Sequence, residues 1–264
     1  MKILFSDFDG TLAADDKSVT KEDYDALKYL NERGGKFVLC TGRMTESAKR
    51  ISALLPFKPL IAAFNGGEII DLESGKEFGL TLLTAKEGEE LARFGEENGF
   101  VCHLYTDSVL TEKPNEYTEN YCKAVLCPPK YLGIKPSEYI KNTGYRTPKV
   151  QYAEGREFIE QKIAAVRAKF GARFEIMNIE KTKIDISPKG ITKGYALEKI
   201  CSFFGIDERD AVAVGDDEND IPMIEKAGVG VAVNNAISRL KAVSDYVTTR
   251  NNGGAVAEVI YKYF

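Results

Sequence analysis

Five short apolar runs, Ile3 to Ser6, Lys36 to Cys40, Leu60 to Phe64, Ala211 to Val214 and Val229 to Val233, are separated by longer helical patterns. No other feature limits the fold as strongly, because strand-helix-strand units of this kind cover both faces of a parallel sheet. Thr20-Lys21-Glu22-Asp23 has the look of a capping box that opens a helix carrying Leu27 and Leu30, and Gly34-Gly35 can close it. Each run gives way at its carboxyl end to a polar or glycine-rich cluster: Asp7-Phe8-Asp9-Gly10-Thr11, Thr41-Gly42-Arg43, Asn65-Gly66-Gly67, Gly215-Asp216-Asp217 and Asn234-Asn235. Open α/β sheets place their ligand crevice at that end, so these loops are expected to meet at one edge.

Between Leu82 and Ser187 the pattern changes. Thr84 and Glu87 can cap a helix ending near Gly99, followed by strands at Val101 to Tyr105 and Val109 to Thr111. A second helix near Arg156 to Phe170 leads to strands at Arg173 to Met177 and Lys183 to Ser187, and Pro188-Lys189-Gly190 reads as a hinge. At 264 residues the chain exceeds one typical domain of about 150. The expected organisation is a core at 1–81, an inserted α+β cap at 82–187 and a returning core at 188–264, with hinges near Leu82 and Pro188 that let the cap gate water.

Composition removes several classes of partner. With 36 basic and 40 acidic residues, the net charge is -4, and no basic run exists to track a nucleic-acid backbone. Only Ile3, Leu4 and Phe5 precede Ser6 and Asp7, far short of a signal core or a membrane span of about 20 residues, so a cytoplasmic protein with no membrane partner is expected. Cys40, Cys102, Cys122, Cys127 and Cys201 lack C-x-x-C spacing and read as packed thiols.

On an extended strand Asp7 and Asp9 share a face, where their repulsion raises the pKa of one or calls for a divalent cation. An ordinary Asp-Gly turn explains Asp9-Gly10 as well, and an EF-hand is excluded because Leu12 stands where glycine is required. Gly215-Asp216-Asp217-Glu218-Asn219-Asp220 reads either as a capping loop, with Asn219 or Asp220 before Pro222, or as a second half of a hard-cation site; Mg²⁺ prefers few carboxylates, water and phosphate oxygens. Lys193, in the first turn of a helix capped by Thr192, suits an anion or is simply solvated. Thr41 offers a hydroxyl donor.

Together "DFDGT" at Asp7, "TGR" at Thr41, "KG" at Lys193 and "GDDEND" at Gly215 resemble the haloacid dehalogenase superfamily, in its order. "NGG" at Asn65, "SPKGITKG" and the cap-sized insertion are similar to its Cof-type branch, subfamily IIB. The resemblance implies a Rossmann-like doubly wound parallel core with an α/β lid, and a Mg²⁺-dependent phosphatase of small phosphorylated metabolites, often sugar phosphates. It implies that Asp7 attacks phosphorus to form an aspartyl-phosphate, while Asp9 protonates the leaving oxygen and then activates water. Thr41 and Lys193 would hold the phosphoryl group, with Gly42, Arg43, Asn65 and Asn219 also binding substrate. The metal would be held by Asp7, the backbone carbonyl of Asp9 and Asp216, with Asp220 and Asn219 in support. Asp217, Ala14 and Gly67 depart from the commonest pattern without removing any of these groups.

His103, the only histidine, sits in a cap strand remote from every motif and reads as a packed or surface residue. Tyr117 and Tyr121 read as cap surface or core, and Cys122 with Cys127 lacks the further ligands of a zinc site. Lys183 and Asp185 are candidates for substrate recognition, or form an exposed ion pair. Besides a phosphatase, a phosphomannomutase-like phosphotransferase and a non-catalytic phosphate- or nucleotide-binding module stay open; the sequence names neither the substrate nor the oligomeric state.

Overall fold

The computed structural model describes residues 2–154, 156–179 and 182–264. The chain divides into two compact units, Met1–Gly79 with Thr192–Phe264, and Leu80–Ile191. In chain order the elements are β1 (Ile3–Ser6), α1 (Lys21–Glu32), β2 (Lys36–Cys40), α2 (Thr45–Ser52), β3 (Leu60–Ala63), β4 (Glu68–Asp71), β5 (Glu77–Leu80), α3 (Ala85–Glu97), β6 (Val101–Tyr105), β7 (Val109–Thr111), α4 (Glu116–Ala124), β8 (Pro129–Tyr131), α5 (Pro136–Thr143), β9 (Val150–Ala153), α6 (Arg156–Phe170), β10 (Phe174–Ile179) and β11 (Lys183–Pro188). They continue with α7 (Lys193–Phe204), β12 (Ala211–Gly215), α8 (Ile221–Ile224), β13 (Val229–Ala232), α9 (Ser238–Val243), β14 (Tyr246–Val247) and α10 (Ala255–Tyr263).

The first unit is built on a sheet of order β14-β13-β12-β1-β2-β3-β4-β5. β14 to β3 run parallel, and β4 turns back antiparallel on β3. β1 lies between β12 and β2, pairing Leu4 with Val212 and Phe37. Ile3, Leu4 and Phe5 have no exposed surface, so the strand behind the first acidic loop is anchored by apolar burial worth about 1.5–3 kcal/mol per side chain. The continuous apolar runs of the parallel strands follow from helices covering both faces.

The second unit carries a sheet of order β10-β11-β9-β6-β7-β8, antiparallel from β10 to β7 and parallel between β7 and β8. One face packs Cys102, Leu104, Val150, Tyr152, Ile184 and Ile186 with Leu91, Val166 and Phe170 from the helices. Period-2 alternation sends His103, Gln151 and Asp185 to the other face. α3 starts with the expected capping box: Thr84 accepts from the Glu87 N–H, and Glu87 accepts from the Thr84 N–H.

Two local expectations change. Phe64 does not extend β3: it and Asn65 take left-handed φ of 50° and 56°, which breaks the strand. Asp220 stands at the N-cap position of α8, as expected before Pro222, but makes no capping bond there; its carboxylate reaches back to the Asp216 and Asp217 N–H groups, and Asp217 caps the turn before it by accepting from the Glu218 N–H.

Candidate active site

The loops following β1, β2, β3 and β12 bring their side chains together in the first unit. β1 ends at Ser6, and the Asp7 N–H still donates to Val214 of β12, 3.1 Å away. The chain then folds into a tight coil over Phe8–Leu12, in which Gly10 takes φ +78°. A Cβ at Gly10 would collide with the Asp216 carboxylate, so glycine is required both by conformation and by the approach of the two loops. Thr11, fully buried, donates to Asp216 Oδ1 at 2.7 Å and locks them together.

Asp7, Asp216 and Asp220 offer carboxylate oxygens that all lie within 4.8 Å of one another. Lys193 Nζ bridges Asp7 Oδ1 and Asp220 Oδ1, each at 2.5 Å, with its side chain 0% exposed. A solvated lysine is therefore ruled out. Thr192 caps α7 by accepting from the Tyr195 N–H, which fixes the turn that delivers this ammonium. Burial works against the Lys193 charge, but Asp220 and Asp7 outweigh it and raise its pKa.

Three acids around one lysine leave negative charge uncompensated. Burial, reinforced by Asp220 and Asp216, drives Asp7 well above the ordinary carboxylate range despite Lys193. Burial and Asp220 push Asp216 up to about 7. Hard oxygen donors that crowd one another in this way fit a divalent cation, which would relieve the repulsion. Both Asp220 oxygens already hold Lys193 or the loop N–H groups, so Asp7 and Asp216 are the better placed direct ligands, and Asp220 secures them.

Asp9 adds to the charge that raises Asp7, the repulsion expected of the pair, but it does not join the three carboxylates gathered at Lys193. Its carboxylate instead meets Arg43, Nε on Oδ2 at 2.6 Å and Nη2 on Oδ1 at 2.8 Å, and Lys17, whose Nζ lies 2.9 Å from Oδ1. Burial opposes its ionisation, but the Arg43 and Lys17 contacts prevail and bring its pKa down to about 2. Arg43 is buried and anchored through Ser47 Oγ, and its N–H donates to Thr41 Oγ1 at 3.1 Å. The Asn65 N–H donates to the Thr41 carbonyl at 2.9 Å, and Asn219 Nδ2 donates to Asn65 Oδ1 at 3.0 Å. Gly42 lies against the Asn65 amide, where a Cβ would stand 3.2 Å from Oδ1. The left-handed Asn65 thus ties the second loop to the acidic one.

Lys17 and Thr11 were not singled out as site residues from the sequence. The Asp-Asp-Lys turn after "DGTLAA" holds a signal for Lys17 only once its left-handed backbone is seen. In the second unit, Asp185 is not in an exposed ion pair with Lys183: it is buried and receives Lys149 Nζ at 2.5 Å and Gln151 Nε2 at 2.7 Å. His103 is fully buried, between Gln151 Oε1 at 3.0 Å and Thr118 Oγ1 at 2.8 Å, and burial lowers its pKa to about 4. Tyr117 is exposed, while Tyr121 stacks on His103 and accepts from the Tyr105 hydroxyl. All five cysteines are buried thiols.

The family profile of haloacid dehalogenase-like hydrolases matches residues 4–260. The chain belongs to this family. It is 29% identical over 280 residues to the 5-amino-6-(5-phospho-D-ribitylamino)uracil phosphatase YwtE of Bacillus subtilis, covering 98% of this chain and 97% of that protein. A haloacid dehalogenase-like hydrolase from Bacteroides thetaiotaomicron superimposes with a TM-score of 0.88 at 24% identity, covering 100% of this chain and 99% of the other. A subclass IIB sugar phosphatase superimposes with a TM-score of 0.82 at 22% identity, over 100% and 99%. The α/β fold is that of these hydrolases, and as a member of the family the chain is a phosphatase-type enzyme. Among the described residues no helix is long and apolar enough to cross a membrane.

Proposed function

We propose that the protein hydrolyses the phosphate ester of a small, hydroxyl-rich metabolite, a sugar phosphate or polyol phosphate, through an aspartyl-phosphate on Asp7. The observation that carries this reading is the buried Lys193 bridge between Asp7 and Asp220 beside Asp216, an anion-accepting centre within a crowd of oxygen ligands. Mg²⁺, held by Asp7 and Asp216 with the Asp9 backbone carbonyl, would supply charge neutralisation at the phosphoryl oxygens. The ribityl phosphate named for the Bacillus relative motivates the choice of a polyol ester.

Asp7 is the nucleophile, and Lys193 holds both its carboxylate and the incoming phosphoryl oxygens. Thr41, with Gly42 at its side, donates to the same group from the second loop. Asp9 is the acid and base. Its resting ion pair with Arg43 and Lys17 suits the second half of the cycle, in which an ionised carboxylate takes a proton from water. In the first half, Asp9 must leave one of its cations and take up a proton from solvent before it can protonate the leaving oxygen. Asn65 and Asn219 orient Thr41 and contact substrate.

The test is phosphate release from p-nitrophenyl phosphate and a panel of sugar phosphates with added Mg²⁺. Asp7→Asn should reduce turnover to background, and 32P from a labelled substrate should appear on wild-type protein after acid quench; full activity of the variant sinks the reading.

A further inference from the structure

The hairpin after the first acidic loop is built around an unfavourable residue. Ala13 bridges Val19, the Ala14 N–H donates to the Ser18 carbonyl and the Lys17 N–H to the Ala14 carbonyl, both at 2.9 Å. Asp16 Oδ1 accepts from the Ser18 N–H at 2.9 Å and from its hydroxyl at 2.6 Å. This turn needs a left-handed residue after Asp16, a place that suits glycine or asparagine. Lys17 stands there instead, with φ +66°. An L-residue with a long side chain in that region is strained, and such outliers gather where the side chain has a task.

The task is visible in what Nζ touches. It lies 2.9 Å from Asp9 Oδ1, one of the two oxygens that can carry a proton to the leaving group. Two atoms that both hydrogen-bond to one oxygen stand within about 6 Å of each other. The Lys17 ammonium therefore borders whatever part of the substrate Asp9 protonates. Unlike Arg43, whose side chain is 9% exposed, the Lys17 side chain is 56% exposed and can swing from Asp9 to a ligand.

We propose that Lys17 is a specificity-determining residue for the leaving group, selecting, among hydroxyl-rich phosphate esters, those that carry a second negative charge close to the ester oxygen, such as a sugar-acid carboxylate or a second phosphate. The inference rests on the reading of Asp9 as the acid. Binding of the second anion draws Nζ away from Oδ1 toward the leaving group and leaves Arg43 Nη2, 2.8 Å away, to hold that oxygen in place. Asp7 then attacks phosphorus, the new Asp7–phosphorus bond forms as the ester bond breaks, and the leaving oxygen keeps the electron pair. That oxygen takes a proton that Asp9, ionised at rest, has first picked up from solvent; it departs as an alcohol and leaves Asp9 a carboxylate again. A cationic leaving group meets Lys17 as a like charge and leaves the resting ion pair in place.

The experiment compares kcat/KM, which reports the steps up to departure of the leaving group, for phosphoglycolate, glycerol 3-phosphate and phosphoethanolamine. Their leaving groups are anionic, neutral and cationic. Wild type should prefer them in that order. Lys17→Met should lower the ratio of the first to the last by about tenfold, the scale of one charge pair near a surface, Lys17→Glu should lower it further, and Lys17→Arg should keep it. Lys17→Gly relieves the left-handed strain, so it should be at least as thermally stable as wild type and still show the lowered ratio, which separates recognition from folding. A wild type indifferent to leaving-group charge, or a ratio unchanged in Lys17→Met and Lys17→Glu, overturns the proposal. Asp9→Asn tests the underlying reading separately: wild-type turnover of glycerol 3-phosphate by that variant removes Asp9 as the acid whatever the charge preference shows.

Discussion

Each unit buries a lysine against an aspartate at 2.5 Å, and the two sites behave as opposites. In the second unit Lys149 meets one carboxylate, Asp185, whose other oxygen is taken by Gln151. Gln151 Nε2 donates to Asp185, so its Oε1 must accept, which makes His103 Nδ1 the donor. The charges of Lys149 and Asp185 balance one to one. In the first unit Lys193 faces Asp7 and Asp220 with Asp216 alongside, and burial, reinforced by the surplus of acid, lifts Asp7 and Asp216 far from their ordinary values. A buried ion pair becomes a reactive centre when its charges do not cancel.

The largest expected effects come from removing each lysine. Lys193→Met should lower kcat for p-nitrophenyl phosphate by about 10²–10³-fold or more, the loss expected for one preorganised donor. Lys149→Met should leave turnover near wild type but reduce unfolding free energy by about 3–5 kcal/mol, because it strands the Asp185 charge in the interior. Urea melts and kinetics on both variants decide the matter. In the double variant Lys149→Met with Asp185→Leu, most of the lost stability should return, since an apolar pair needs no desolvation. If Lys149→Met instead abolishes turnover at unchanged stability, the two sites are not opposites.

The next effect is a dependence of stability on pH at the balanced site. Burial holds His103 at about 4 in the folded chain, against an ordinary value of 6.5. The unfolded chain binds the proton first as pH falls, so the full contribution is present above pH 6.5 and is lost progressively down to about pH 4, some 3 kcal/mol in all. Wild type and His103→Gln should therefore differ in the pH slope of their urea midpoints across that window, with the variant flatter. Equal slopes show that His103 reaches solvent.

The two sites also differ in how far they could be read from the sequence. The strands and the strand-end loops were legible because apolar runs and glycine clusters report the chain's local conformation directly. Lys193 and Asp216 came with them, each fixed by a strand or capped helix that the pattern already specified. The repulsion between Asp7 and Asp9 was legible from their spacing, but the pairing of Asp9 with Arg43 and Lys17 was not, since it needs loops that meet only in the fold. Lys149 and Asp185 were invisible as a pair: they meet only when β9 and β11 align, and their separation in the chain carries no local signal. Lys17 was hidden for a related reason, since its backbone conformation contradicts its residue type.

The smallest of these effects concerns the surplus acid itself. If Asp7 and Asp216 repel for want of a cation, Mg²⁺ at about 100 times its dissociation constant should stabilise the folded chain by about 2.7 kcal/mol, as any ligand specific for the native state does. The effect should vanish in Asp216→Asn, persist in Lys149→Met, and shrink below pH 7, where Asp216 takes up a proton that competes with the metal. Thermal shift with Mg²⁺, Ca²⁺ and EDTA reads all three outcomes. Stabilisation that survives Asp216→Asn would place the cation elsewhere, and the uncompensated charge of the first site would then need Lys17 and Arg43 to answer it from the Asp9 side.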